Sequence, residues 1–137
     1  MITLEGKTYY IHTFGCQMNV RESETAAGIL QSLGMHAAQH MEEANVILFN
    51  TCCIRDLAER KAWGAIGASR TCKQANPQTI IGVFGCMMAQ EGANQEIKKR
   101  FPFVDIVFGT NSLHELKPLL EKAQRGMRIR KGQVRCV

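Results

Sequence analysis

The chain is punctuated by apolar, β-rich runs, and three of them close on a cysteine. The strings are YYIHTFGC, ending at Cys16, VILFNTC, ending at Cys52, and IIGVFGC, ending at Cys86. Each is followed by a segment with helical rhythm. Strand and helix that alternate in this way predict an α/β domain built on a parallel sheet. Parallel strands all finish on one edge, so three thiols far apart in sequence are brought to the same edge. That edge is where α/β folds place ligand chemistry. No local C-x-x-C pair is present, so a site made of these thiols has to be assembled by the fold.

The elements can be placed along the chain. Residues 8–15 read as the first strand, with Cys16 after Gly15. Asn19 is suited to cap a helix over about 20–33, whose apolar face includes Ile29, Leu30 and Leu33, and Gly34 stops it. Residues 35–39 form a short edge strand. Glu42, Glu43 and Asn45 break the chain before the strongest strand, 46–51. A helix over about 55–73 carries Leu57, Ala58, Ala62, Ala65 and Ile66 in register, and Trp63 fits its apolar face. Pro77 marks a turn. Residues 79–85 are apolar on both faces, as expected for a parallel strand covered by helices on both sides. A helix over about 90–100, a strand at 105–109 and a last helix to about Gln124, capped by Asn111 or Ser112, complete the pattern. Right-handed crossovers then give a flavodoxin-like sheet of about five strands in the order 2-1-3-4-5, with helices on both faces. Cys16, Cys52 and Cys86 follow strands 1, 3 and 4, which are neighbours in that order.

The chain has 137 residues, 45% of them hydrophobic, enough for one domain with a filled core. No apolar run approaches the ~20 residues of a membrane span. The N-terminus lacks the basic-then-apolar layout of a secretory signal, so a cytoplasmic protein is expected. Six cysteines in a core-competent cytosolic chain point to reduced thiols, serving metal binding or catalysis, and not to a disulfide framework. The net charge of +5 is unevenly spread. Residues 1–124 carry as many acids as bases, and the excess lies in Arg125, Arg128, Arg130, Lys131 and Arg135. Residues 1–124 therefore read as the domain, and 125–137 as a basic tail or linker able to touch phosphate.

Thiolates are soft ligands, suited to iron–sulfur clusters, zinc or copper(I). A structural zinc normally closes with four protein ligands, and here three thiols fall at strand ends. Three thiolates on a four-iron cluster leave one iron open to another ligand. For any single cysteine, packing in apolar surroundings is the competing explanation. Spacing alone leaves open whether Cys52 or Cys53 is the ligand. Cys72, late in a helix, reads as packing or an exposed thiol, and Cys136 as incidental. His12 reads as a core or half-exposed strand residue. Gln17, Asn19, Asn50, Thr51, Arg55 and Gln90 gather near the strand ends as candidate neighbours of the site. Arg55 sits at a helix start, against the dipole preference, where it would balance an anionic group. Two other readings of the same edge are a non-catalytic flavodoxin-like domain binding a ligand or nucleic acid, and a structural zinc module.

The strings TFGCQMNVRESE (13–24), NTCCIRDLAERK (50–61), GCMMAQ (85–90) and RFPFVDIVFGT (100–110) occur in the right order over roughly residues 5–124. Together they resemble the N-terminal domain of radical-SAM methylthiotransferases. The resemblance implies that Cys16, Cys52 and Cys86 hold an auxiliary 4Fe–4S cluster, with Cys53 at the variable position of the pair. GCQMN and NTC-x-IR are similar to the branch that converts N6-isopentenyladenosine-37 of tRNA to its 2-methylthio derivative. The ribosomal-protein branch usually shows Pro–Lys, and the threonylcarbamoyl-adenosine branch Lys–Val, where this chain has Gln17–Met18. The radical-SAM motif C-x-x-x-C-x-x-C is absent from the chain, as is the C-terminal RNA-binding domain. The resemblance thus implies a sulfur-handling fragment, inactive alone. Its radical-SAM partner domain would lie in cis, carry a second 4Fe–4S cluster, cleave S-adenosylmethionine and make most of the tRNA contact.

Overall fold

The computed structural model of the chain describes residues 6–13, 17–51, 63–76, 78–85, 99–108, 110–124 and 129–130. Six strands make one sheet: β1 (Thr8–Thr13), β2 (His36–Ala37), β3 (Val46–Thr51), β4 (Ile80–Gly85), β5 (Ile106–Phe108) and β6 (Ile129–Arg130). The order is β2-β1-β3-β4-β5-β6, with every pair parallel. The expected order 2-1-3-4-5 is found, and one more strand follows it. That sixth strand comes from the basic segment after residue 124 and pairs Ile129 with Ile106.

Period-two alternation divides the core between the two faces of the sheet. Val46, Leu48, Ile80, Phe84, Ile106 and Phe108 pack with α1 (Gln17–Ser32) and the last helix. Ile47, Phe49, Ile81, Val83 and Val107 pack on the other side with Ile66, Cys72, Phe101 and Val104. β4 is buried on both faces, as its apolar run requires. It accepts glycine at position 82 because a Cβ there would stand 2.8 Å from Leu48 Cδ2 in the packed core.

α1 starts earlier than its sequence suggests. It runs from Gln17, which puts Asn19 inside the helix and not at its cap. Nothing between Cys16 and Asn19 breaks a helix, so the cap preference of asparagine yields to continuation. At the other end Gly34 adopts φ 90°. Met35 N–H donates to Leu30 C=O at 3.2 Å and Gly34 N–H to Gln31 C=O at 3.0 Å. This is a Schellman closure, with Leu30 and Met35 both buried beneath it.

Of the helix expected over 55–73, residues 63–68 and α2 (Arg70–Ala75) are described, and both are helical. They meet at Ser69, whose hydroxyl donates to Ile66 C=O at 2.6 Å and competes with the regular ladder. Residues 90–98 lie outside the described set, and 99–100 are helical. The last helix was expected from Asn111 or Ser112. Instead a 3-10 stretch over Thr110–Glu115 leads into α3 (Leu116–Gln124). Pro118 explains this. It has no N–H to offer the carbonyl of His114, so the α-helix begins with proline in its first turn.

At the opposite, amino edge of the sheet an ion pair ties α2 to β5. Lys73 Nζ meets Asp105 Oδ2 and also donates to Phe103 C=O at 3.2 Å. The same Asp105 oxygen accepts the buried Ile81 N–H at 3.1 Å. The two side chains are only 18% and 12% exposed. Removing the carboxylate therefore strands a shielded ammonium and a buried amide together. Asp105→Ala is expected to cost about 3 kcal/mol in urea unfolding. A loss below about 0.5 kcal/mol would mean that the pair behaves as a solvated surface contact.

Candidate functional site

The carboxyl edge of the sheet is where β1, β3 and β4 end side by side. Thr13 is paired in register with Asn50, Asn50 with Phe84, and Thr51 with Gly85. In the sequence Cys52 directly follows Thr51, Cys86 directly follows Gly85, and Cys16 comes three residues after Thr13. The three cysteines lie outside the described residues, as do Cys53, Arg55, Gln90 and Cys136. Gln17 and Asn19 are the first and third residues of α1, and Thr51 is the last of β3. Among the described residues, no group of three or more His, Cys, Asp or Glu is placed to hold a metal ion. The described edge nevertheless fits a group held by soft ligands. It brings three strand ends, each continuing in sequence to a thiol, onto adjacent strands ~4.8 Å apart.

Asn50 is the candidate residue whose side chain is described, and it is fully buried. Its Nδ2 donates to Ser23 Oγ on α1 at 3.0 Å. Ser23 Oγ lies 2.6 Å from Thr13 Oγ1 on β1. The Asn50 bond ties the end of β3 to α1. Ser23 and Thr13 were not anticipated from the sequence. The available signal was the period-two pattern of β1, which puts Thr13 on the face shared by Tyr9 and Ile11. Beside this cluster a groove of about 310 Å³ runs between α1 and the β1–β2 margin, lined by Tyr9, Ile11, Thr13, Val20, Ser23 and Ala38. Val20, 48% exposed, is the exposed large hydrophobic residue among the described ones.

His12 points to the other face of β1. Its ring lies 6.3 Å from Tyr10 and 6.1 Å from Phe49. Burial there disfavours the charged imidazolium and lowers its pKa below the usual 6.5. Cys72 is buried against the apolar core of that same face. Burial and the nearby Glu42 raise its pKa, which makes it an inert packing thiol. No helix among the described residues is long and apolar enough to cross a membrane.

Residues 8–109 match the profile of the Uncharacterized protein family UPF0004. The chain is also similar to three bacterial enzymes, each named tRNA-2-methylthio-N(6)-dimethylallyladenosine synthase. It is 48% identical to that of Desulforamulus reducens over 86% of this chain and 26% of the relative. It is 50% identical to that of Caldicellulosiruptor saccharolyticus over 87% and 25%. The Bacillus subtilis enzyme is 46% identical over 87% and 23%. The chain thus spans about a quarter of the length of the curated relatives it matches.

The lowered pKa of His12 has a consequence for stability. Unfolded His12 takes a proton as pH falls through about 6.5, while the folded residue resists it, so stability declines from there down to the depressed folded pKa. Urea midpoints at about pH 7.5 and about pH 5.5 should therefore fall further in wild-type protein than in His12→Gln. Equal pH slopes in the two proteins would contradict this.

Proposed function

The chain belongs to the UPF0004 family, the N-terminal domain of methylthiotransferases, and from that premise we propose that it is the sulfur-handling domain of a tRNA methylthiotransferase. The substrate of the whole enzyme would be N6-isopentenyladenosine-37 of tRNA. Cys16, Cys52 and Cys86 would be the ligands of an auxiliary 4Fe–4S cluster, with Gln17, Asn19, Asn50, Thr51, Arg55 and Gln90 around it. Residues 1–124 would form the bulk of the domain, whose sheet also takes in the β6 pair Ile129–Arg130. Residues 125–137 would lead toward a radical-SAM domain in cis, which would hold the second 4Fe–4S cluster and S-adenosylmethionine. The setting would be the cytoplasm, where tRNA is modified.

The observation that carries this reading is the alignment of the strand ends. β1, β3 and β4 are adjacent and parallel, and Thr51 and Gly85 stand in register one residue before their cysteines. Three thiolates are a chemically suitable donor set for such a cluster. Bound by three protein ligands, the cluster would supply an open iron able to carry or donate sulfur. The chain's own part is to present three thiolates from a rigid edge. The apolar layers on both faces of β3 and β4 hold that edge in place. Cys72, a buried thiol with a raised pKa on the side of the sheet away from α1, is unsuited to ligation. The names of the relatives support tRNA methylthiolation as the reaction of the whole protein.

Single Cys→Ala changes at Cys16, Cys52 or Cys86 are expected to abolish the visible iron–sulfur absorbance of anaerobically reconstituted protein, because each removes one of three ligands. The same change at Cys53, Cys72 or Cys136 should leave most of it. Loss with Cys53→Ala and retention with Cys52→Ala would overturn the ligand assignment.

The charge distribution makes a separate prediction about RNA. Residues 1–124 are formally neutral, so tRNA binding by this chain should be weak and rest on the basic C-terminal residues. Replacing Arg125, Arg128, Lys131 and Arg135 by Gln leaves the β6 residues in place. It should remove most of the binding and flatten its salt dependence. Unchanged, tight binding would assign an RNA site to the domain body.

A further inference from the structure

The face of the sheet under α1 is apolar along most of its length. On β1 it is made by Tyr9 and Ile11, on β3 by Val46 and Leu48, and on α1 by Ala26 and Leu30. Toward the amino end Gln31 Nε2 donates to the Tyr9 hydroxyl at 2.9 Å, and the layer nearest the carboxyl edge is polar. There Thr13, Asn50 and Ser23 meet, one from each element. A hydroxyl in this position costs stability unless it is bonded, and an alanine would continue the apolar stripe at no such cost. Ser23 is bonded on two sides. It accepts from Asn50 Nδ2 at 3.0 Å, which leaves its own proton available to Thr13 Oγ1 at 2.6 Å.

Resting on the cluster reading above, we propose that Ser23 and Thr13 are positioning residues for the Cys16 thiolate. In sequence, Cys16 is the last of the three residues, 14–16, between Thr13, which ends β1, and Gln17, which begins α1. The Ser23–Thr13 bond joins the strand that ends before these residues to the helix that begins after them. The Asn50 bond fixes both to β3, two residues before Cys52. The network therefore fixes β1, α1 and β3 relative to one another at the edge from which the sequence continues to Cys16 and Cys52. Packing alone holds a helix over a sheet, but it permits small slides along the groove between side-chain ridges. A directional bond of each strand to one helix residue removes that freedom. Outer residues that orient a metal ligand typically change metal retention by about 10–100-fold when removed.

The test uses the full 137-residue chain, reconstituted anaerobically, with two readouts: the rate of iron loss to a chelator and the melting temperature of the cluster-free protein. Ser23→Ala and Thr13→Val remove the hydroxyls, and Thr13→Ser keeps one. Val107→Ala trims the core on the opposite face, on a strand that leads to no cysteine, and serves as a control for stability. Iron loss should accelerate about tenfold or more in S23A and T13V, and T13S should stay near wild type. The double variant should be no faster than the worse single one, since either change breaks the same bond. V107A should melt lower without faster iron loss. If iron loss in S23A and T13V merely follows their melting temperatures, as set by V107A, the positioning role is overturned while the cluster reading stands. If wild-type protein takes up no iron, the cluster reading itself falls, and this proposal with it.

Discussion

Parallel hydrogen bonding between β1, β3 and β4 is the constraint on which the molecule depends. An antiparallel partner would send one chain end to the far side of the sheet and separate the strand ends that lead in sequence to the cysteines. The parallel ladder instead pairs Tyr9 through Thr13 with Val46 through Asn50, and Val46 through Thr51 with Ile80 through Gly85. All three strands then finish within one layer. The helical crossovers that parallel strands require supply the cover for both faces. Burial of Ile47, Phe49, Ile81 and Val83 on one face, and of Leu48 and Phe84 on the other, fixes that register. A slip of one residue would turn each set toward the wrong layer.

The two edges of the sheet are treated differently. At the amino edge the polar groups are used for closure. Asn45 accepts the Thr8 N–H, and Asp105 joins Lys73 to β4. These bonds lie where β1 and β4 begin and far from the strand ends. At the carboxyl edge the polar layer of Thr13, Ser23 and Asn50 stands just inside the segments that carry Cys16 and Cys52. The polar closure and the proposed site thus lie at opposite ends of the strands, in keeping with the general placement of ligand sites in open parallel sheets.

Much of this was legible from sequence because the strands are uniformly apolar and short. VILFNT could hardly be anything but a buried strand, and it occupies residues 46–51 as expected. The order followed from handedness, and Gly34 marked the end of α1. Other features had no comparable signal. Two residues, Ile129 and Arg130, within a basic stretch carry no periodicity, so β6 could not be read. The 3-10 approach to α3 depends on Pro118 acting four residues upstream. The partner of Asn50 depends on which helix residue lies above the paired Thr13, a fact of three-dimensional register. A serine inside a helix announces nothing by itself. The thiols stood out for the opposite reason: cysteine is scarce, and its repetition after three similar strands is a pattern that packing does not demand.

The most direct measurement is the iron and acid-labile sulfide content of the wild-type chain after anaerobic reconstitution and desalting. The parallel edge with three thiolates predicts about four iron and about four sulfide per chain, with the visible absorbance of a 4Fe–4S cluster. Stoichiometric zinc in their place, or protein that retains no metal at all, would contradict the account.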